Sequence, residues 1–370
     1  MKVLFSCGGT GGHINPAIAI ANTVKLGNKD AEILFVGTKN GMEQKLVTKA
    51  GYEIEFVKAR GFKRKLSLSN IDAAIKAVTS VFAAKKIIKR FKPDVVIGTG
   101  GYASWAAVKA AAKLGVPTLI HEQNAFPGVT TKQLAKYADR ICLSFDGTEK
   151  YFTPEQREKA VITGNPLKPE IENADRKKAR QALGIGENEI YIVSFGGSLG
   201  AEKVNEFCFE LIDSYIRNTA IRYYHATGSG GFEKYSAIAK EKGFDKLSNV
   251  KIEEYIYDMD KHLAAADLLI CRAGAITLAE LCVMGRPSIL IPSPNVTDDH
   301  QYKNAKALAD KEAAVVFRES ELDGKKLTEE VKRLVNDGER LKRIGANAKA
   351  FGRPNAAKRI CEMALELIKK

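Results

Sequence analysis

The sequence predicts an α/β protein of two Rossmann-like, doubly wound domains. Three observations carry that prediction. Short, continuous apolar runs alternate with helical stretches along the whole chain, the pattern of parallel strands covered on both faces. Each half opens in the same way, with a strand, a glycine loop and a helix: KVLFSCGGTGG in the first half and IYIVSFGGSLGAEKVN in the second. The length of 370 residues suffices for two separate cores.

In chain order, the first half offers strands at 2–6, 31–36 (AEILFV), 94–98, 117–120 and 139–143. The second offers 190–195, 221–225, 249–253, 267–271 (DLLIC), 287–291 (PSILI) and 313–317. Periodicity breaks in VITGNPLKPEIENADRKK, where Gly164, Pro166 and Pro169 interrupt the pattern. The expected division is therefore a first domain over 1–164 and a second over 165–351. A last helix, in 352–370, presents Ile360, Met363, Ala364 and Leu367 on one side and is expected to fold back over the first domain.

Composition narrows the class. No leader pattern opens the sequence, and no apolar run approaches the roughly 20 residues of a membrane span. Six cysteines are scattered without a C-x-x-C pair, and two of them lie in apolar runs, RICLSF and LLICRA. Buried free thiols in a reducing cytoplasm are expected. The net charge is +14, and it is local. From Lys58 to Lys92 eleven basic residues face a single acid, Asp72. Such a segment seeks phosphate, nucleic acid or an anionic membrane.

A glycine loop that opens a helix presents bare amides and the positive helix end to an anion. Neither familiar nucleotide motif fits. No loop continues into Gly-Lys-Ser/Thr, and a G-x-G-x-x-G frame begun at Gly9 ends on Ile14. The second strand also ends in Val36-Gly37-Thr38, without the acid that holds a ribose. A third glycine turn, VVIGTGGYAS, lies within the first half. Three such loops favour phosphate or sugar binding over tight turns alone.

The segments GGTGGHINPA, GTGGYAS, HEQNAFPG, TGNPLKPEI, SFGGSLGAEKVN and CRAGAITLAEL…GRPSILIPSPNVTDDHQYKNA follow one another along nearly the whole chain. In this order they resemble the MurG family of bacterial cell-wall glycosyltransferases. The resemblance implies a GT-B fold, two Rossmann-like domains facing across a cleft. It also implies inverting transfer of N-acetylglucosamine (GlcNAc) from UDP-GlcNAc to the muramyl sugar of lipid I, an undecaprenyl-diphosphate-linked muramyl peptide, to form lipid II. The second domain would hold the donor, and the first the acceptor and the membrane.

For the donor, the resemblance points to Ile256, whose backbone would read the uracil edge, and to Glu280, whose carboxylate would accept from the ribose hydroxyls. Ala275, Ile276 and Thr277 stand at a helix start that would meet the diphosphate. Arg272 precedes them, either by the nucleotide or in a surface ion pair. Ser198 resembles a phosphate-contacting hydroxyl. Lys168 stands where relatives usually carry arginine, which keeps the charge and loses the bidentate fork. Gln301 matches a glutamine that reads sugar hydroxyls, with Asn304 as a neighbour. His300 replaces a second glutamine, and its role stays open. From the first half, Thr10, Gly11 and Gly12 would touch the donor sugar or its phosphate, and Asn124 a GlcNAc hydroxyl. His121 and Glu122 are neighbours of undecided role, and Tyr102 would line the acceptor side.

His13 stands at the junction of glycine loop and helix. An inverting transfer needs the acceptor hydroxyl deprotonated as it attacks, and a neutral imidazole takes that proton near neutral pH. The alternative is a histidine that only orients the loop or the acceptor. No carboxylate pair has metal-ligand spacing, so neither a bound metal nor another cofactor is expected.

Placed on a helix, the 69–92 stretch shows one apolar arc of Ala74, Ala77, Val81, Ala84, Ile88 and Phe91, suited to packing on a sheet. A second arc holds Ile71, Ile75, Val78 and Phe82 and continues into Lys85, Lys86 and Lys89. Together they exceed the face that one core needs. With Leu66, Leu68 and the Lys63-Arg64-Lys65 cluster, the second arc is expected to meet an anionic membrane surface. The enzyme would then be peripheral, on the cytoplasmic face of the bacterial cell membrane. The bland alternative is a core helix with solvated lysines.

Three rivals remain. One is another GT-B lipid glycosyltransferase, such as a diacylglycerol glucosyltransferase, and a second is a UDP-sugar epimerase. The third, a nucleic-acid-binding protein, is disfavoured because the charge lies beside aliphatic residues and no RNP-type or zinc-finger pattern occurs. No nucleic-acid partner is expected.

Overall fold

In the computed structural model, residues 1–39, 41–58 and 68–369 are described, and for residues 68–75 the description covers the backbone. The chain forms two compact units, one of residues 1–168 with 353–370 and one of residues 169–352.

The first unit is built on seven parallel strands. These are β1 (Lys2–Cys7), β2 (Glu32–Gly37), β3 (Glu53–Phe56), β4 (Val95–Gly100), β5 (Thr118–Glu122), β6 (Arg140–Leu143) and β7 (Ala160–Ile162), in the order β3-β2-β1-β4-β5-β6-β7. Alternation along β1 feeds two cores. Val3 and Phe5 pack with Ile14, Phe35, Ile97 and Leu119 on one face. Leu4 packs with Leu34, Val96 and Ile120 on the other. Register places Phe5 opposite Phe35 and Ile97, and the two phenyl rings stack at 5.2 Å.

Four helices of this unit matter below: α1 (Gly11–Gly27), α2 (Met42–Lys49), α3 (Leu68–Phe91) and α4 (Tyr102–Ala112). The buried face of α4 is largely alanine, at 103, 106, 107, 110 and 111. Small side chains let α3 lie close upon it. Val81, Ala84 and Ile88 of α3 are buried there.

The second unit has six parallel strands: β8 (Tyr191–Phe195), β9 (Arg222–Ala226), β10 (Val250–Glu253), β11 (Leu268–Cys271), β12 (Ser288–Leu290) and β13 (Val315–Val316). Their order is β10-β9-β8-β11-β12-β13. Helices α5 (Glu202–Ser214), α6 (Ala275–Met284) and α7 (His300–Ala309) follow β8, β11 and β12. The last helix, α8 (Ala356–Ile368), belongs to the first unit and packs on α1, with Ile360, Ala364 and Leu367 in the core.

Strands β3 and β7 were not legible as apolar runs. Both are sheet edges with half-exposed faces, and β3 reads Glu-Ile-Glu-Phe. An edge strand with one wet face carries alternation over a few residues in place of a continuous run. In both sheets the chain reverses its winding direction between two central strands, β1 and β4 or β8 and β11. The loops leaving those strands diverge at their carboxyl ends, where ligands bind in open sheets of this kind.

Candidate active site

In the first unit, Gly8 to Gly12 carry the chain from β1 into α1. Thr10 at the N-cap is extended and makes no side-chain cap bond, and no acid occupies the first turn. Neither its cap residue nor its first turn therefore compensates the first amides and positive end of α1, a setting that favours an anion. Gly9 takes φ +91°, and a Cβ there would meet nothing within 4 Å.

His13 lies in that first turn, with Nδ1 2.9 Å from the carbonyl oxygen of Gly8. A carbonyl only accepts, so Nδ1 carries the hydrogen and Nε2 of the neutral ring keeps its lone pair. Thr99 Oγ1 donates to the His13 carbonyl at 2.8 Å. The third glycine turn serves this arrangement. At Gly100, φ +115°, a Cβ would stand 2.6 Å from His13 Cδ2. At Gly101, φ +85°, it would stand 2.4 Å from Gly8 O. These two glycines are taken up by clearance for His13 and Gly8.

His121 and Glu122, undecided from sequence, are buried structural groups. His121 Nε2 lies 3.0 Å from Gly164 O, and its Nδ1 lies 2.9 Å from Gln123 Nε2. Gln123 Nε2 also donates to Thr99 O at 2.9 Å. Only one neutral tautomer, protonated on Nε2, satisfies both contacts of His121. Burial pushes its pKa down to about 4. Glu122 accepts from Asn124 N at 3.0 Å, Asn124 Nδ2 at 3.1 Å, Gly128 N at 3.0 Å and Thr131 Oγ1. It thereby fixes the loop that carries Asn124. Tyr102 begins α4 and is half exposed. Lys168 is exposed at the last residue before the second unit.

The second unit gathers its candidates at the carboxyl ends of β8, β10, β11 and β12. The loop after β8 is packed main chain against main chain. A Cβ on Gly200 would stand 2.1 Å from Thr227 O, and one on Gly228 would stand 2.0 Å from Gly200 N. Ser198 is exposed at the tip, its carbonyl accepting from Ser229 N at 3.2 Å. Beneath runs a buried hydrogen-bond chain. His225 joins Ser194 Oγ through Nδ1 at 2.7 Å and Asn205 Oδ1 through Nε2 at 3.1 Å. Asn205 Nδ2 donates to Thr227 O at 3.0 Å. Burial pushes the His225 pKa down to about 3, so the ring stays neutral and the chain of donors runs one way.

Across the switch point, Gly274 is the N-cap of α6, again without a side-chain cap or a first-turn acid. Ala275, Ile276 and Thr277 form that first turn, and Glu280 lies half-buried one turn on. The guanidinium of Arg272 donates to Ile291 O and Pro292 O, each at 3.1 Å, and pairs with Glu319. Its donors therefore hold the loop after β12. Ser293 N, in that loop, donates at 2.9 Å to Oε1 of Gln301 on the first turn of α7, where His300 Nδ1 faces Thr297 O at 2.8 Å. Asp298 and Asp299 both adopt left-handed backbone, φ 55° and 51°, and Asp299 pairs with Arg318 at 3.3 Å. Asn304 is buried. Ile256 is buried between Tyr255 and Tyr257, of which Tyr257 is 90% exposed.

On α3, Val78 and Phe82 are 57% and 62% exposed, Lys86 and Lys89 are exposed, and Lys85 is half-buried. Lys63, Arg64, Lys65 and Leu66 lie outside the described residues. Leu68, Ile71 and Ile75 lie where only the backbone of α3 is described. Among the described residues no helix is long and apolar enough to cross a membrane, and no group of three or more His, Cys, Asp and Glu is placed to hold a metal ion. All six cysteines are buried and free.

Sequence reasoning missed the groups that hold the loops. Gln123, Thr99, His225 and Asn205 act through partners 20 to 86 positions away, and although three of them lie in the segments quoted above, nothing local marks those partners. Glu43 was missed as well, although two glycines, Gly37 and Gly41, closely precede it in GTKNGME.

Two family models match the chain. The glycosyltransferase family 28 N-terminal domain covers residues 3–143, and the glycosyltransferase family 28 C-terminal domain covers residues 191–360. Among relatives, a protein of Acetivibrio thermocellus is 46% identical over 100% of this chain and 99% of its own length. One of Ruminiclostridium cellulolyticum is 45% identical over 100% of both. Each is named UDP-N-acetylglucosamine–N-acetylmuramyl-(pentapeptide) pyrophosphoryl-undecaprenol N-acetylglucosamine transferase. The crystal structure of Acinetobacter baumannii MurG matches with a TM-score of 0.80, 29% identity and 99% coverage of both chains. A UDP-GlcNAc 2-epimerase of Neisseria meningitidis matches at a TM-score of 0.66 and 15% identity, over 99% of this chain and 100% of its own. That second likeness is one of fold.

Proposed function

This chain belongs to glycosyltransferase family 28, and from that premise we propose that it transfers GlcNAc from UDP-GlcNAc to the muramyl sugar of lipid I. The product is lipid II, and the process is peptidoglycan synthesis. One observation carries the reading: 46% identity, end to end, to a transferase named for that donor and acceptor.

His13 is the general base in this reading. Its Nε2 accepts the proton of the acceptor hydroxyl while that oxygen bonds to the anomeric carbon in line. The bond from that carbon to the diphosphate oxygen breaks, UDP departs with the electron pair, and configuration inverts. The imidazolium then returns its proton to solvent. The start of α6, which carries no acid in its first turn, and Ser198 support the developing charge on UDP, since fixed amide dipoles need no reorganisation. Glu280 accepts from the ribose hydroxyls, the Ile256 backbone reads uracil, and Gln301 and Asn124 read the sugar. Thr10, Gly11, Gly12 and Lys168 complete the donor contacts. Arg272 acts by positioning the loop after β12, whose Ser293 N meets Gln301.

Within this reading the first unit takes the acceptor and the second the donor. The first unit rests peripherally on the cytoplasmic face of the cell membrane. Exposed Val78 and Phe82, beside Lys86 and Lys89, support that surface.

The test is transfer of labelled GlcNAc from UDP-GlcNAc to a lipid I analogue, with diacylglycerol as the competing acceptor. Transfer to diacylglycerol alone, or release of free sugar without an acceptor, would replace this function with one of its rivals.

A further inference from the structure

Glu43, on α2, is fully buried, and the mechanism above does not use it. Its Oε1 accepts from Thr38 N at 2.8 Å and from Thr38 Oγ1 at 2.6 Å. Its Oε2 accepts a longer bond of 3.4 Å from Gly9 N. Three glycines make room for it: a Cβ on Gly8, Gly37 or Gly41 would stand 3.0, 2.5 or 2.0 Å from a Glu43 atom. No ion pair to it is recorded among the described residues. A buried carboxylate without a counter-charge is costly, and it persists where amides and hydroxyls aimed at it offset that cost.

Thr38 holds the carboxylate from the segment after β2, and Gly9 N ties it to the loop that orients His13. The Gly8–Gly9 peptide lies between Glu43 on one side and Gly101 on the other, where a Cβ would stand 2.4 Å from Gly8 O. Gly8 O is the acceptor of His13 Nδ1. We infer that Glu43 is a positioning residue for His13: by holding Gly9 N it aims the Gly8 carbonyl at Nδ1 and keeps the reactive lone pair on Nε2. The carboxylate thus acts on the imidazole at second hand, through one peptide group.

This inference rests on the reading of His13 as base, and the experiment separates the two. Glu43→Gln keeps shape and preserves an oxygen for Thr38, but it turns an NH2 toward Gly9 N–H, so two donors face each other. In the full-length enzyme, 15N NMR of the imidazoles, with His13 assigned by its loss in His13→Ala, should show His13 chiefly protonated on Nδ1. Glu43→Gln should move the population toward Nε2–H and lower kcat by at least about tenfold. The milder Thr38→Val removes one donor to Glu43 and should move both readouts in the same direction by less. In the His13→Ala background, Glu43→Gln should leave the residual rate unchanged.

An unchanged tautomer population in both Glu43→Gln and Thr38→Val would overturn the inference. So would an equal fold-loss of kcat in the wild-type and His13→Ala backgrounds. Full activity of His13→Ala would end the base reading alone, because the tautomer measurement still reports whether Glu43 governs the imidazole.

Discussion

Gly100 lies directly beneath the His13 imidazole, so close that a Cβ on it would overlap the ring at 2.6 Å from Cδ2. The backbone there has φ +115°, which L side chains rarely adopt. Space and conformation thus make the same demand, and the second glycine turn of the first unit follows from the placement of one histidine.

Gly100→Ala should therefore disable catalysis more than it unfolds the protein. The ring must move or tilt away from Gly8 O, and kcat should fall at least about tenfold. Gly115→Ala is the control, because its φ of +71° is also left-handed while a Cβ there meets nothing within 4 Å. It should cost about 1 kcal/mol of stability with kcat retained. Equal kcat in the two variants would contradict the packing account.

Glu280→Ala should weaken donor binding chiefly. Removing an acceptor for two hydroxyls costs roughly 1–3 kcal/mol, so the KM for UDP-GlcNAc should rise about 10- to 100-fold with a smaller change in kcat. Titration calorimetry with UDP checks this independently of turnover. A Kd for UDP equal to that of the wild type would remove Glu280 from the site.

Acid should destabilise the fold through His121 and His225. Both are buried and neutral, with pKa values near 4 and 3 against an ordinary 6.5. Below pH 6.5 the unfolded chain gains protons that the folded one refuses, so stability is full above 6.5 and falls as the pH drops toward 4. Between pH 7.5 and 5 each histidine should account for a loss of about 2 kcal/mol, read by urea unfolding. His121→Gln should flatten that slope, and an undiminished slope would count against the burial account.

Membrane affinity should depend on Phe82 and Lys86, both exposed on α3. Phe82→Ser and Lys86→Glu should each weaken sedimentation with anionic vesicles, by roughly 1 kcal/mol or more. Neither should lower the melting temperature, since neither side chain is buried. Unaltered vesicle binding in the double variant would move the membrane surface elsewhere on the unit.

Much of the architecture is legible from local pattern. Strands such as KVLFSC and DLLIC are buried on both faces, so their apolar runs are continuous and announce a parallel sheet. Glycine loops before α1 and α6 mark helix starts open to an anion for the same local reason, because the bare backbone is written in the residues themselves. Edge strands β3 and β7 escaped notice since half of each faces solvent.

Partners are another matter. Sequence alone determined that His13 opens a helix after a glycine loop and that Arg272 precedes another. Only the tertiary structure decided that Gly8 O would take the Nδ1 hydrogen, that Ile291 O, Pro292 O and Glu319 would take the Arg272 guanidinium, and that Glu122 would tie down a loop. Periodicity and residue chemistry are properties of neighbours along the chain. A hydrogen bond is a property of neighbours in space, and strand order alone brings Glu43 to Gly9 across 34 positions or Thr99 to His13 across 86.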